Sequence, residues 1–168
     1  MPNNTDVLVT HEEYAIYKSV TDLLLGAFDN ICIASSTLRD FTLESHGESL
    51  LLSDCILSLG RKGVQIRVLT TPKMLRSHFM SNLSNHEHRN VRVEACARNH
   101  LKLICVDNQV VYLGTANLTS SALGLRSMKR RNFEMGIVTS DRRIVSLAIR
   151  TFDRIWGGDY CYSCMFFS

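Results

Sequence analysis

The sequence has no long uninterrupted run of apolar residues, and this limits the kind of protein it can encode. No segment approaches the ~18 uncharged apolar residues that a membrane-spanning helix requires. The first residues, Met-Pro-Asn-Asn-Thr-Asp, contain neither the basic region nor the apolar core of a secretory signal. We therefore expect a soluble, cytoplasmic protein without a membrane anchor.

A strong excess of one charge sign is also missing, because the formal net charge is only +3. Its distribution is uneven: residues 1–90 hold 8 Lys and Arg against 10 Asp and Glu, whereas residues 91–168 hold 11 against 6. Four basic residues fall between Thr119 and Asn132, namely Arg126, Lys129, Arg130 and Arg131. This basic segment predicts contacts with substrate phosphates, and a solvated surface is an equally good interpretation.

A convincing set of metal ligands is the third absence. Cys161 and Cys164 form a C-x-x-C motif, but structural zinc needs two further ligands and no comparable pair follows. The stretch His86-Glu87-His88 lies in a polar connection, where solvated histidines are expected. The remaining cysteines lie in apolar stretches, which predicts buried thiols in a reducing compartment; they are Cys32, Cys55, Cys96 and Cys105. We expect no metal and no other cofactor.

The patterns that are present predict alternating helices and strands in one domain over residues 1–168, with a tail at 158–168 whose packing the sequence leaves open. Capping boxes at Thr10–Glu13 and Ser45–Glu48 each predict the start of a helix, and Asp141 predicts the cap of the last one. Pro72 fits the first turn of a further helix that reaches about residue 85. Strands are predicted at 30–36, 64–70, 91–97, 100–107, 110–117 and 133–139.

The most informative segment runs from His100 to Asn117. Asn108-Gln109 between two β-rich stretches predicts a two-residue hairpin in which Asp107 pairs with Val110. In that register Asn117 faces His100 and Thr115 faces Lys102, so these four side chains share one face, while Gly114 lies on the other. An imidazole, an ammonium and an amide gathered in this way suit a phosphoryl group, since the first can attack phosphorus and the others can hold its oxygens. Asp107 is expected to do structural work at the turn.

These residues follow the spacing H-x-K-x4-D-x6-G-S/T-x-N, which resembles the signature of the phospholipase D superfamily. The matching residues are His100, Lys102, Asp107, Gly114, Thr115 and Asn117. Asn132-Phe133-Glu134 is similar to the later N-x-E element, and the stretches 31–36 and 60–69 are similar to the first two strands of the family. The resemblance covers about residues 10–157. It implies an α/β fold, a phospholipase D-like domain with a mixed central β-sheet flanked by helices on both faces.

A second copy of the motif is missing, since the other histidines lack a lysine two positions later. The chain is therefore similar to the short, single-motif members, the Nuc-type bacterial endonucleases, which build one active site from two subunits. This resemblance implies a homodimer with the motif faces meeting at a two-fold axis.

The resemblance also implies a mechanism. His100 attacks phosphorus and forms a phosphohistidine, and the partner's His100 exchanges protons with the leaving oxygen and with water. Lys102 and Asn117 neutralise and hold the oxygens, Glu134 orients the imidazole, and Asp107 completes the catalytic motif. Gly114, Thr115 and the basic segment contribute to substrate binding. One histidine must be neutral and the other charged, which predicts a bell-shaped pH profile.

Three functions fit this sequence. The first is a metal-independent nuclease that cleaves DNA or RNA with little sequence preference, because backbone phosphates carry no base information. The second is a phospholipid hydrolase or phosphatidyl transferase that uses the same site, with Leu123, Leu125 and Met128 as an interfacial element. The third is a nucleic-acid-binding module of a larger assembly, in which cleavage is weak or depends on a partner.

Overall fold

The computed structural model describes residues 6–10, 12–45, 47–84 and 89–165. Its strands are β1 (Val7–Thr10), β2 (Asn30–Ser35), β3 (Thr42–Ser45), β4 (Glu48–Leu51), β5 (Gln65–Thr70), β6 (Val91–Ala95), β7 (Lys102–Val106), β8 (Val110–Gly114) and β9 (Met135–Thr139). Its α-helices are α1 (Ala15–Leu25), α2 (Leu52–Arg61), α3 (His78–Ser84) and α4 (Arg142–Trp156). Short 3-10 segments cover Glu12–Tyr14, Pro72–Arg76 and Cys161–Ser163.

Seven strands form one mixed sheet in the order β1-β9-β8-β7-β2-β5-β6. The strands β2, β5 and β6 run parallel, because helices and longer connections return the chain to the same edge. The strands β7, β8, β9 and β1 are antiparallel to their neighbours. The predicted mixed sheet is confirmed.

Helices cover both faces of this sheet, as expected for an α/β fold. Along β2, Ile31 and Ile33 point into the larger core with α1, α2 and α3, whereas Cys32 and Ala34 point into a second core beneath α4. This alternation follows from the two-residue period of a strand. The helix α4 buries Phe152 as part of a 3.6-residue stripe.

The hairpin between β7 and β8 differs from its prediction by one residue. Val106 pairs with Val110, so the connection holds three residues instead of two. Asp107 and Asn108 both have a φ of 54°, a left-handed conformation that Asp and Asn tolerate better than most residues. Asp107 is held in the turn by its own hydrogen bonds to the α1–β2 connection. The predicted facing pairs were therefore wrong, and Gly114 lies on the same face as Lys102.

The two capping boxes had different outcomes. The chain is helical after Thr10, because the 3-10 segment Glu12–Tyr14 leads into α1 and the Thr10 hydroxyl accepts from the Glu12 backbone N–H at 3.3 Å. The helix start predicted at Ser45–Glu48 was wrong. Thr42–Ser45 and Glu48–Leu51 pair antiparallel as β3 and β4, and α2 begins only at Leu52. The cap of α2 comes from outside the local sequence, because Asp40 accepts hydrogen bonds from the Ser53 backbone N–H (2.9 Å) and from the Ser53 hydroxyl (3.0 Å). Ahead of α1, residues 7–10 form the edge strand β1, a strand that was not predicted.

Of the four cysteines in apolar stretches, Cys32, Cys55 and Cys105 are buried, as predicted, and Cys96 is half-buried. Burial raises the pKa of the Cys55 thiol to about 11 and that of Cys105 to about 12, so both stay protonated at neutral pH. In the tail, Cys161 and Cys164 line a cavity beside Cys96 and Ile155.

Candidate active site

The motif residues meet where β2 and β5 end and β7 begins. Ser35, the last residue of β2, lies opposite Lys102, the first residue of β7. On the other side of β7, Gly114 ends β8 opposite Gly136 in β9. Polar groups from four neighbouring strands therefore converge at one end of the sheet.

His100 and Lys102 contact each other directly. The Lys102 ammonium donates to the backbone carbonyl of His100 (2.8 Å) and lies 3.0 Å from its Nδ1. His100 is exposed and Lys102 half-buried, so the imidazole faces solvent while the ammonium lies beneath it. This arrangement places a nucleophile and a positive charge within reach of one phosphoryl group.

Burial lowers the pKa of Lys102, and the nearby Glu134 carboxylate opposes that shift. Both effects are expected for an ammonium that is partly removed from water and lies close to a negative charge. The Glu134 carboxylate therefore favours the charged form of Lys102.

A buried asparagine that the sequence analysis missed positions the segment before His100. Asn99 donates from Nδ2 to the carbonyl of Leu69 near the end of β5 (3.1 Å) and accepts from the backbone N–H of Leu101 (3.2 Å). Only 3% of Asn99 is exposed. It fixes the backbone on both sides of His100 to the parallel part of the sheet.

The amide of Asn117 has a defined orientation. Its Oδ1 accepts from the hydroxyls of Ser35 (3.1 Å) and Ser36 (2.9 Å) and from the backbone N–H of Thr37 (3.3 Å). Because a backbone N–H can only donate, the atom that it contacts must be the carbonyl oxygen. The two donors on Nδ2 are thereby left to point away from these groups.

Ser36 also joins two parts of the motif. Its hydroxyl lies 3.5 Å from the Lys102 ammonium while it donates to Asn117. From the sequence, residues 31–36 were predicted only as a strand. Serines at the end of a buried strand were the available signal for this role.

Glu134 lies beside the motif and is hydrogen-bonded to both Thr115 and Asn132. The Thr115 hydroxyl and the Asn132 side chain both donate to the Glu134 carboxylate, the latter at 3.0 Å. The Met135 carbonyl accepts from the Thr115 backbone N–H (2.9 Å), and the Met135 N–H donates to the Thr115 hydroxyl (3.1 Å). The N-x-E element and the G-T-x-N element thus form one structure.

Asp107 lies at the other end of β7, roughly 16 Å from Lys102 at the usual rise per residue. Its carboxylate accepts from the backbone N–H groups of Asp29 (2.8 Å), Asn30 (3.0 Å) and Phe28 (3.3 Å). The structure does not bring Asp107 to His100, Lys102 and Asn117, so the predicted catalytic role of Asp107 was incorrect. It holds the β7–β8 turn against the α1–β2 connection.

The basic segment is spread over the surface near the motif. Arg126 borders the same groove as Asn117 and Asn132. Lys129 and Arg130 are exposed, and Arg131 is half-exposed. Leu123 in this segment is fully buried, which removes it from the proposed interfacial element, whereas Met128 is 79% exposed.

Within the described residues, no group of three or more His, Cys, Asp or Glu side chains is arranged to hold a metal ion. His86, Glu87 and His88 lie outside those residues.

The family model for the cardiolipin synthase, PLD-like domain matches residues 20–156. The chain belongs to the phospholipase D superfamily. This membership associates it with phosphodiester hydrolysis, the chemistry that the motif geometry suits. Across the part of the chain that the structure describes, no helix is long and apolar enough to cross a membrane.

Several solved structures share the superfamily fold with this chain. NucT from Helicobacter pylori is 17% identical with a TM-score of 0.66, and the match covers 92% of this chain and 97% of that one. Nuc from Salmonella typhimurium, a phospholipase D family member, is 14% identical with a TM-score of 0.68, covering 92% and 95%. TrmBL2, an archaeal chromatin protein with a novel mode of DNA binding, is 17% identical with a TM-score of 0.59, covering 93% and 54%. No curated protein matches the chain.

Proposed function

We propose that this phospholipase D superfamily member is a nuclease that cleaves nucleic-acid phosphodiester bonds with little sequence preference. The observation that carries the proposal is the convergence of His100, Lys102 and an oriented Asn117 amide at one end of the sheet. These groups can contact a phosphate and its oxygens, and such contacts do not distinguish one base from another.

The proposed reaction has two steps. In the first, Nε2 of one His100 forms a bond to phosphorus while the bond to the leaving oxygen breaks and that oxygen takes a proton from the partner subunit's His100. In the second, the same partner histidine removes a proton from water, whose oxygen attacks phosphorus and breaks the phosphorus–nitrogen bond. Lys102 and the Asn117 Nδ2 hold the charged oxygens in both steps. No step requires a metal ion.

Glu134 has a defined part in this scheme. Attack through Nε2 needs a free lone pair there and therefore a proton on Nδ1, the nitrogen that lies 3.0 Å from the Lys102 ammonium. An N–H cannot accept from an ammonium, so the attacking form needs an acceptor in place of Lys102. We assign that role to the Glu134 carboxylate, whose charge already acts on Lys102.

The homodimer is part of the same proposal. One chain supplies a single motif histidine, and two are needed for the roles of nucleophile and proton donor. Apolar side chains lie exposed around Glu134, with Phe133 87% and Met135 53% exposed, and exposed apolar surface is typical of protein contacts. We place the two-fold contact on this surface, with the two His100 side chains meeting at the axis.

Nucleic acid is favoured as the substrate over phospholipid. The motif lies in the half of the chain that carries the positive excess, and Leu123 is buried instead of being available to a membrane surface. The DNA binding of TrmBL2 on a related fold is consistent with this choice.

One assay tests the proposed function. The purified protein and its His100→Ala variant are incubated with single- and double-stranded DNA, RNA and phospholipid vesicles in the presence of EDTA. We expect cleavage of nucleic acid that survives chelation and is lost in the variant. Cleavage that requires a metal contradicts the mechanism, turnover of lipid alone favours the phospholipase alternative, and binding without cleavage favours the binding module.

A further inference from the structure

A polar groove of about 340 Å³ is lined by Asn117 of the motif. One wall comes from the connection after β2, with Thr37 and Arg39, and the other from the segment after the motif, with Ser120 and Arg126. The groove shares Asn117 and Asn132 with the candidate active site. A chain held at the motif can therefore continue into it.

Two arginines from distant parts of the sequence border this groove. The backbone N–H of Arg39 donates to the Leu118 carbonyl at 3.0 Å, beside a β-bridge between Leu38 and Leu118. These contacts join the connection after β2 to the segment after Asn117. The turn directly before Arg126 is closed by the bond from the Leu125 N–H to the Ser120 carbonyl at 2.8 Å. Within the described residues neither guanidinium forms an ion pair. Both positive charges are available to a ligand.

One carboxylate also lines the groove, and it already accepts three hydrogen bonds. Asp40 accepts from the Ser53 backbone and hydroxyl and from the Asn82 side chain at 3.0 Å. It therefore faces the start of α2, where donors and the helix dipole offset its charge. The groove therefore combines two guanidinium groups that have no ion-pair partner among the described residues, several hydroxyls and one hydrogen-bonded carboxylate.

We propose that this groove binds the phosphate next to the scissile one along a nucleic-acid strand. Arg39 and Arg126 hold the non-bridging oxygens, because guanidinium groups match phosphate geometry, and the hydroxyls of Thr37 and Ser120 add neutral donors. The inference rests on the proposed nuclease function and deepens it: the substrate is a strand of repeating phosphodiesters, recognised at more than one phosphate.

The test compares substrates with one phosphodiester and with several. Bis(p-nitrophenyl) phosphate reaches only the motif, whereas a short oligothymidylate also reaches the groove. We expect Arg39→Ala and Arg126→Ala each to raise the KM for the oligonucleotide about tenfold, the loss typical of one charge-assisted contact. Hydrolysis of bis(p-nitrophenyl) phosphate, which does not extend into the groove, should fall much less than oligonucleotide cleavage in both variants. Each lowers the salt dependence of oligonucleotide binding by about 0.7 in log–log slope.

Arg150→Ala is the matched control, because Arg150 is exposed on α4 across the sheet. It should leave the KM for the oligonucleotide, the hydrolysis of bis(p-nitrophenyl) phosphate and the salt dependence of oligonucleotide binding unchanged. Equal losses on both substrates, or an unchanged oligonucleotide KM in both groove variants, overturn the proposed subsite.

Failure of the nuclease function is distinguishable from failure of the subsite. If the wild-type protein cleaves neither substrate, binding of the oligothymidylate is measured by fluorescence anisotropy in the same variants. Weaker binding with a smaller salt slope in Arg39→Ala and Arg126→Ala then supports the phosphate subsite, and unchanged binding overturns it.

Discussion

At the scale of single residues, the candidate active site is held by side chains whose partners lie far away in sequence. Asn117 is oriented by the serines that end β2, and the His100 backbone is fixed by Asn99 to β5. Hydrogen bonds of this kind stabilise a geometry more than a fold, since each contributes only ~1 kcal/mol to folding. They keep the reactive groups in place before a substrate binds.

Replacing Glu134 by Gln should lower the pKa of Lys102. The carboxylate opposes the lowering caused by burial, so its removal leaves desolvation to act alone. The titration of the Lys102 side chain, followed by NMR of ¹³C-labelled lysine, should move to lower pH. Glu134→Asp keeps the charge and should move it less. An unchanged or raised pKa in Glu134→Gln contradicts the interaction.

Replacing Asp107 by Asn should weaken folding without weakening catalysis. The substitution tolerates the left-handed φ of 54° but exchanges charge-assisted bonds to residues 28–30 for neutral ones. We expect a loss of about 1–2 kcal/mol in the free energy of unfolding, measured with urea. The kcat of the folded enzyme should be unchanged. The exposed Asp29→Asn serves as control, and a large loss of kcat in Asp107→Asn points to a catalytic role instead.

At the scale of elements, the end of β8 explains why the motif needs glycine. The Tyr112 side chain lies against Gly114 in its own strand, β8, and against Gly136 in the adjacent strand, β9. A methyl group at Gly114 meets Tyr112 Cζ at 2.7 Å and the Met135 carbonyl oxygen at 2.8 Å, closer than such atoms approach. The strand can therefore run past the ring only without a side chain at this position.

Gly114→Ala should accordingly destabilise the protein by about 1–3 kcal/mol, as overpacking does in other cores. Thermal and urea unfolding measure the loss. Adding Tyr112→Phe to Gly114→Ala should recover only part of it, because the Met135 carbonyl remains in the way. If Gly114→Ala is as stable as the wild type, β8 can shift to make room for the methyl group, and the close packing of Tyr112 and Met135 against Gly114 does not constrain this position.

At the scale of the whole molecule, the proposed shared site makes a prediction for mixed subunits. When wild-type protein and His100→Ala are mixed in equal amounts and allowed to exchange, a site that needs both histidines leaves about one quarter of the dimers active. Independent sites leave about one half of the activity. Mixing with Arg150→Ala, which retains His100, is the control for dilution and exchange. Sedimentation of the fully active enzyme as a monomer also contradicts the shared site.

Much of the architecture could be predicted from the sequence because it depends on local patterns. The apolar runs of β2 and β5 and the stripe of α4 specify their own structure, and their order specifies an α/β sheet. The spacing from His100 to Asn117 was enough to indicate the family. The local signals failed at Ser45–Glu48, where a capping pattern forms part of a hairpin and the helix cap comes from Asp40.

The sequence by itself determined the reactive groups, since their identities and spacing along one hairpin are local properties. The tertiary structure decided the register of that hairpin, because Asp107 bonds to a connection 77–79 residues away and draws a third residue into the turn. It also decided which serines orient Asn117 and which arginines share a groove with it. These contacts join segments that no sequence period relates, so only the packed sheet brings them together.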